Sequence, residues 1–106
     1  MKRSLSTLFG AALALAVGAS LAQSQGVSKN EILVGSIQDL SGPLAAFGKA
    51  VRQGMMLRAE ELNEQGGIHG RKIKLVVEDS GYDPKKAVLA AQKLVNQDKI
   101  FIMAGH

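Results

Sequence analysis

Two carboxylates four positions apart, Asp79 and Asp83, are the pair whose type and spacing suit proton transfer, one carboxyl donating while the other accepts. A structural reading competes with this and is the stronger. Asp83 precedes a proline and opens a helical pattern, the place of a capping carboxylate, while Asp79 follows an apolar run, where it bonds loop amides. The two histidines, His69 and His106, lie far apart without carboxylates at metal-ligand spacing, so no metal site is expected and His69 reads as a turn residue. Gly42 to Lys49 superficially resembles a phosphate-binding loop. Its spacer is one residue too long, and Ala50 stands where a serine or threonine would hold magnesium, which argues against nucleotide binding. No glycine fingerprint for a dinucleotide follows Ile37. The sequence has no cysteine, which removes disulfides, thiolate metal sites, a cysteine nucleophile and a lipid-anchored bacterial N-terminus. No cofactor is expected.

What remains is noncovalent binding. Ser41-Gly42-Pro43 leads into a helix whose first N–H groups either hold a carboxylate or other anion or simply begin the helix; the sequence leaves both open. Phe47 falls in the first turn of that helix. It is either a core residue of the buried stripe or an aromatic wall beside a cleft, and the spacing favours core.

Five elements position these residues. Ile32 to Ile37, Ile73 to Val77 and Ile100 to Ala104 are short, branched and largely apolar, as in strands buried on both faces. Between the first two runs, Ala46 to Glu64 reads as a helix with Phe47, Val51, Met55, Ala59 and Leu62 on one face, which should cover the sheet. Gly54 sits at the edge of that stripe and predicts close helix–strand approach, offsetting a propensity cost of about 1 kcal/mol. Gly66-Gly67 ends the helix, and Ile68-His69-Gly70-Arg71 is a tight return. A second helix opens with Asp83 as N-cap and Pro84 in its first position, buries Ala87, Val88, Ala91, Leu94 and Val95, and stops over residues 96 to 99. With right-handed crossovers this order gives an α/β fold, an open parallel sheet with helices on both faces. Ligands of such sheets bind outside the carboxyl ends of the strands. The loops to read are therefore Gln38 to Phe47, Asp79 to Asp83, and the stretch after Ala104.

Ahead of this unit, Met1-Lys2-Arg3, the apolar run Leu8 to Val17 and the small residues of Ser20-Leu21-Ala22 form a secretory signal peptide, residues 1 to 22, with cleavage expected after Ala22. The run is too short for a membrane span, which takes roughly 20 apolar residues. Removing Lys2 and Arg3 with the signal leaves 11 basic against 9 acidic residues, too weak a balance for nucleic-acid binding. Export also tells against a cytoplasmic DNA-binding role.

Leu40-Ser41-Gly42-Pro43, Phe47-Gly48, Gly54, the return from Gly66 to Lys72, Asp83-Pro84 and Ala87 together resemble the leucine/isoleucine/valine-binding protein family of periplasmic receptors. The resemblance covers essentially all of the stretch after the signal, in order and with matching spacings. It implies a type I periplasmic-binding-protein fold whose two lobes close over a small solute and deliver it to the membrane permease of an ABC importer. It further implies a monomer in the periplasm, without covalent chemistry or membrane insertion after signal removal. Residues 23 to 106 would form the N-terminal part of the first lobe, a piece expected to be unstable alone. In the family an aromatic residue at the position of Phe47, commonly tyrosine, packs on the ligand, and phenylalanine removes one possible hydrogen bond. Ser41 belongs to the loop lining the cleft, and His106 opens the third cleft loop; with Phe47 these are the expected ligand contacts. Relatives bind amides, urea and aromatic acids as well as branched-chain amino acids. A sensor or receptor ectodomain of the same fold is the alternative reading, and a secreted α/β enzyme using Asp79 or Asp83 is a remoter one.

Overall fold

The computed structural model of the chain describes residues 24–106, and the expected signal segment lies outside them. The order is β1 (Glu31–Gln38), α1 (Ala45–Glu64), β2 (Lys72–Asp79), α2 (Pro84–Asn96) and β3 (Ile102–Met103). The strands lie in the order β2-β1-β3, all parallel. β1 and β2 pair over their full length, from Glu31 opposite Lys72 to Gln38 opposite Asp79. The path from β2 to β3 passes over β1 in the reverse sense of the path from β1 to β2. Crossovers of one hand therefore place the two helices on opposite faces.

β1 is central, and its alternating side chains serve both layers. Ser36 is fully buried, and its hydroxyl lies 3.7 Å from the Met55 sulfur of α1. Ile37 points the other way and joins Ala90, Leu94 and Ile100 in the core beneath α2. The third apolar run, expected as a strand from Ile100 to Ala104, is a regular strand only at Ile102–Met103. Lys99 and Gly105 both adopt positive φ, 56° and 73°, and bend the chain into and out of the sheet. The ladder still extends past the strand, because Phe101 N–H donates to Leu33 at 2.9 Å and Ala104 N–H to Gly35 at 2.8 Å.

Both helices form where the sequence places them, and each buries only part of its expected face. In α1, Met55, Ala59 and Leu62 are half-buried, whereas Phe47 and Val51 are exposed. The N-terminal half of α1 leans over the carboxyl end of β1, where a concavity rather than the sheet faces it. In α2 the buried face is Ala90 and Leu94, flanked by the half-buried Ala87 and Ala91; Val88 and Val95 are exposed, a correction to the expected stripe. Small alanines bring α2 close to the sheet, and the face is centred on them rather than on its valines.

Gly54 is not the point of close approach, since a Cβ there would meet nothing within 4 Å; that role belongs to Gly48, whose Cβ would collide with the Asp39 carbonyl oxygen at 1.9 Å. Gly48 lies one turn into α1, where the helix starts against the end of β1. The other end is fixed as expected: Gly66 and Gly67 take φ of 102° and 73°, and their N–H groups close onto Asn63 and Leu62 in a Schellman-type cap. Asn63 adds a link the sequence did not suggest. Its side-chain amide bonds both the carbonyl and the N–H of Ile73, at 2.8 and 2.7 Å, and ties α1 to the start of β2.

Candidate functional site

At the carboxyl ends of β1 and β2 two carboxylates organise the loops. Asp39, buried, accepts from the N–H groups of Ser41 and Gly42 through Oδ1, at 3.2 and 2.5 Å, and from Leu44 through Oδ2 at 2.7 Å. An acidic residue followed by Leu-Ser-Gly is the pattern of a side chain that bonds its own succeeding backbone. Asp39 thus shapes the loop that enters α1 and reaches the helix start through the N–H of Leu44, while Ala45 N–H is taken by the Gly42 carbonyl at 3.1 Å.

Asp79 does the same for both loops at once. Its Oδ1 accepts from Leu40 N–H and Gly81 N–H, each at 2.8 Å, and its Oδ2 accepts from the Ser41 hydroxyl at 2.5 Å. The Ser41 hydroxyl first, then the two amides, hold the Asp79 carboxyl at about 2 instead of the ordinary 3.8; burial opposes this and the Lys86 charge assists it. A carboxylate held ionised by three donors is a poor proton donor or acceptor near neutrality. Asp83, the other half of the candidate acid–base pair, accepts from Lys85 N–H at 2.7 Å and Lys86 N–H at 3.3 Å as the N-cap of α2. Both carboxylates thus have structural duties.

Beside these loops lies a concavity of about 610 Å³, within the range of small-molecule sites. Ile37, Gln38 and Asp39 form its base, with Leu44, Phe47 and Val51 from the α1 side. Ser80, Tyr82 and Pro84 contribute from the β2–α2 side, and His106 from the chain beyond β3. Of the three expected contacts, Phe47 and His106 meet here. Phe47 is 73% exposed and stands on the concavity, so among the described residues it is not part of the core. Ser41 is not among the lining residues, and its hydroxyl is engaged by Asp79.

Sequence reasoning singled out the loop from Asp79 to Asp83 but not Tyr82, which is 63% exposed, lines the concavity and has φ 59°. The neighbouring Gly81 and Asp83-Pro84 signal a turn; nothing in the residue types signals that an aromatic ring stands on it. His69, at φ 49°, lies in the tight return as expected, remote from the site. Among the described residues no three His, Cys, Asp or Glu side chains cluster as metal ligands, and no helix is long and apolar enough to cross a membrane.

Comparison with known proteins agrees with this architecture. Residues 31–106 match the family model described as "Periplasmic binding protein". The leucine-specific-binding protein of Salmonella typhimurium is 38% identical over 106 residues, all of this chain and 27% of that protein. Among solved structures, a branched-chain amino acid transporter substrate binding protein from Streptococcus pneumoniae, in complex with isoleucine, superposes with a TM-score of 0.70 at 34% identity, over 73% of this chain and 22% of that one. A fatty acid ABC transporter substrate-binding protein from Thermomonospora curvata superposes with a TM-score of 0.67 at 38% identity, over 78% of this chain and 20% of that one. The chain thus spans about a quarter or less of the length of these relatives. With its parallel sheet, its opposed helices and a family model matched over most of its length, the chain belongs to the periplasmic binding protein family, among relatives of the leucine/isoleucine/valine-binding proteins.

Proposed function

We propose that this chain forms the N-terminal part of the first lobe of an exported solute-binding protein of an ABC importer. The protein captures a branched-chain amino acid or a related small organic solute in the periplasm, as a monomer, and passes it to a membrane permease without chemical change. The observation that carries the reading is the concavity at the carboxyl ends of β1 and β2, largely apolar and walled by Phe47 and His106. A parallel sheet offers ligands that place. Phe47 and His106 touch the solute, and Ser41 acts through Asp79 by holding the β1–α1 loop that leads to Phe47. The signal peptide at residues 1–22 supplies the route of export, with cleavage after Ala22.

The test is thermal unfolding of the complete gene product, recovered from the periplasm, against leucine, isoleucine, valine, small amides, urea and aromatic acids. A true ligand at about a hundred times its Kd stabilises by about 2.7 kcal/mol. Phe47→Ala should weaken that ligand about tenfold, the loss of one large apolar contact. Absence of stabilisation by every solute, or turnover of any, would overturn the proposal.

A further inference from the structure

We infer that Tyr82 is a second aromatic wall of the ligand site and selects solutes with a bulky apolar or aromatic end. The inference rests on the binding function proposed above. Tyr82 and Phe47 reach the same concavity from different segments, one from the β2–α2 loop and the other from the first turn of α1. Neither ring packs into the core of the described residues, Tyr82 being 63% and Phe47 73% exposed there. Leu44, Pro84 and Ala87 share the concavity with them, while Gln38, Asp39 and Ser80 lie at the strand ends. The site therefore has a polar base and an apolar wall, which suits a solute with one polar end and one bulky apolar end.

The backbone explains how the ring is held there without packing. Gly81 and Tyr82 both adopt the left-handed conformation, at φ 56° and 59°, which a bulky residue rarely takes. Three hydrogen bonds fix the loop: Gly81 N–H to Asp79 at 2.8 Å, Tyr82 N–H to the Ser80 hydroxyl at 3.3 Å, and Asp83 N–H to the Ser80 carbonyl at 3.0 Å. Such backbone is enriched at ligand sites, and here, unlike at His69 and Lys99, it stands on the concavity. A ring displayed on a fixed backbone loses little freedom when a ligand covers it.

The experiment is calorimetric titration of the complete gene product with alanine, leucine and phenylalanine, which share one head group and differ in body. Wild type is compared with Tyr82→Asn and Tyr82→Phe; asparagine tolerates the left-handed conformation, so the loop keeps its shape while the ring is lost. Wild type is expected to bind leucine or phenylalanine more tightly than alanine. Tyr82→Asn should weaken the bulkier ligands about tenfold and alanine little, while Tyr82→Phe stays near wild type. Wild-type preference for alanine, or a Tyr82→Asn variant that weakens all three equally or none, overturns the inference and leaves the binding function standing. Wild type that binds none of the three also overturns it, and the wider solute screen then decides the binding function separately.

Discussion

Two glycines of α1, six residues apart, should respond to the same substitution with opposite signs. An alanine Cβ at Gly48 would lie 1.9 Å from the Asp39 carbonyl oxygen, where ordinary contact begins at 3.4 Å, so the start of α1 would have to retreat by about 1.5 Å. That shift takes Leu44 N–H, now 2.7 Å from the Asp39 carboxylate, beyond hydrogen-bonding distance. Overpacking costs about 1–3 kcal/mol, and a bond to a charged acceptor contributes about 1.5–3 kcal/mol. The better helix propensity of alanine returns about 1 kcal/mol. Gly48→Ala should therefore destabilise by about 3 kcal/mol net. Gly54→Ala meets nothing within 4 Å and should stabilise by about 1 kcal/mol through propensity alone. Urea unfolding of the complete gene product, followed by circular dichroism, gives both values side by side. A Gly48→Ala variant within 1 kcal/mol of wild type would refute the close-approach argument. A destabilised Gly54→Ala variant would show that something covers that face of α1.

Further expectations concern the loops and the core. Because Asp79 titrates at about 2 when folded and near 3.8 when free, the unfolded chain binds more protons between those values; its contribution is complete above that window and disappears as pH falls through it. Urea midpoints measured from pH 5 down to pH 2 should fall more steeply for wild type than for Asp79→Asn, by a margin that salt reduces because the side chain is exposed; parallel curves would refute the assignment. Asp83→Ala removes the acceptor for Lys85 and Lys86 N–H and should lower stability by about 1 kcal/mol, with amide exchange quickening in the first turn of α2. Leu94→Ala, at a side chain with 0% exposure, should cost about 3 kcal/mol in the same unfolding assay.

The elements were legible because their signals are local. Asp83-Pro84 and Gly66-Gly67 mark helix ends by backbone chemistry that does not depend on the rest of the fold, and the branched runs before Asp39 and Ser80 mark strands. The faces were less so. Periodicity identifies the stripe of α1 but not that its first turn overhangs the sheet, so Phe47 and Val51 read as core while the structure leaves them on the concavity. In α2 the stripe held Leu94 but was drawn toward the valines, whereas packing on the sheet buried Ala90 in their place. Gly54 and Gly48 lie in the same helix, and only the position of the Asp39 carbonyl distinguishes them. The place of Tyr82 on the concavity was invisible because it is decided by backbone angles and not by side-chain type.

Asp39 bears on how a ligand can be recognised here. The start of α1 has the geometry that attracts anions, and in many α/β proteins that place is left for the ligand. Here a buried carboxylate, Asp39, stands beside it and bonds the N–H groups of Ser41, Gly42 and Leu44, the last being the N-cap residue of α1. A second anion at the same point would meet both occupied donors and a like charge. An anionic head is therefore disfavoured beside Asp39, and what this segment offers is mainly an apolar wall above a polar base. Selectivity arising from this segment should accordingly follow the size and shape of the solute's body more than its charge. Variants at Phe47 and Tyr82 should reorder a series of solutes sharing one head group, and should leave nearly unchanged the ratio between an amino acid and its amide.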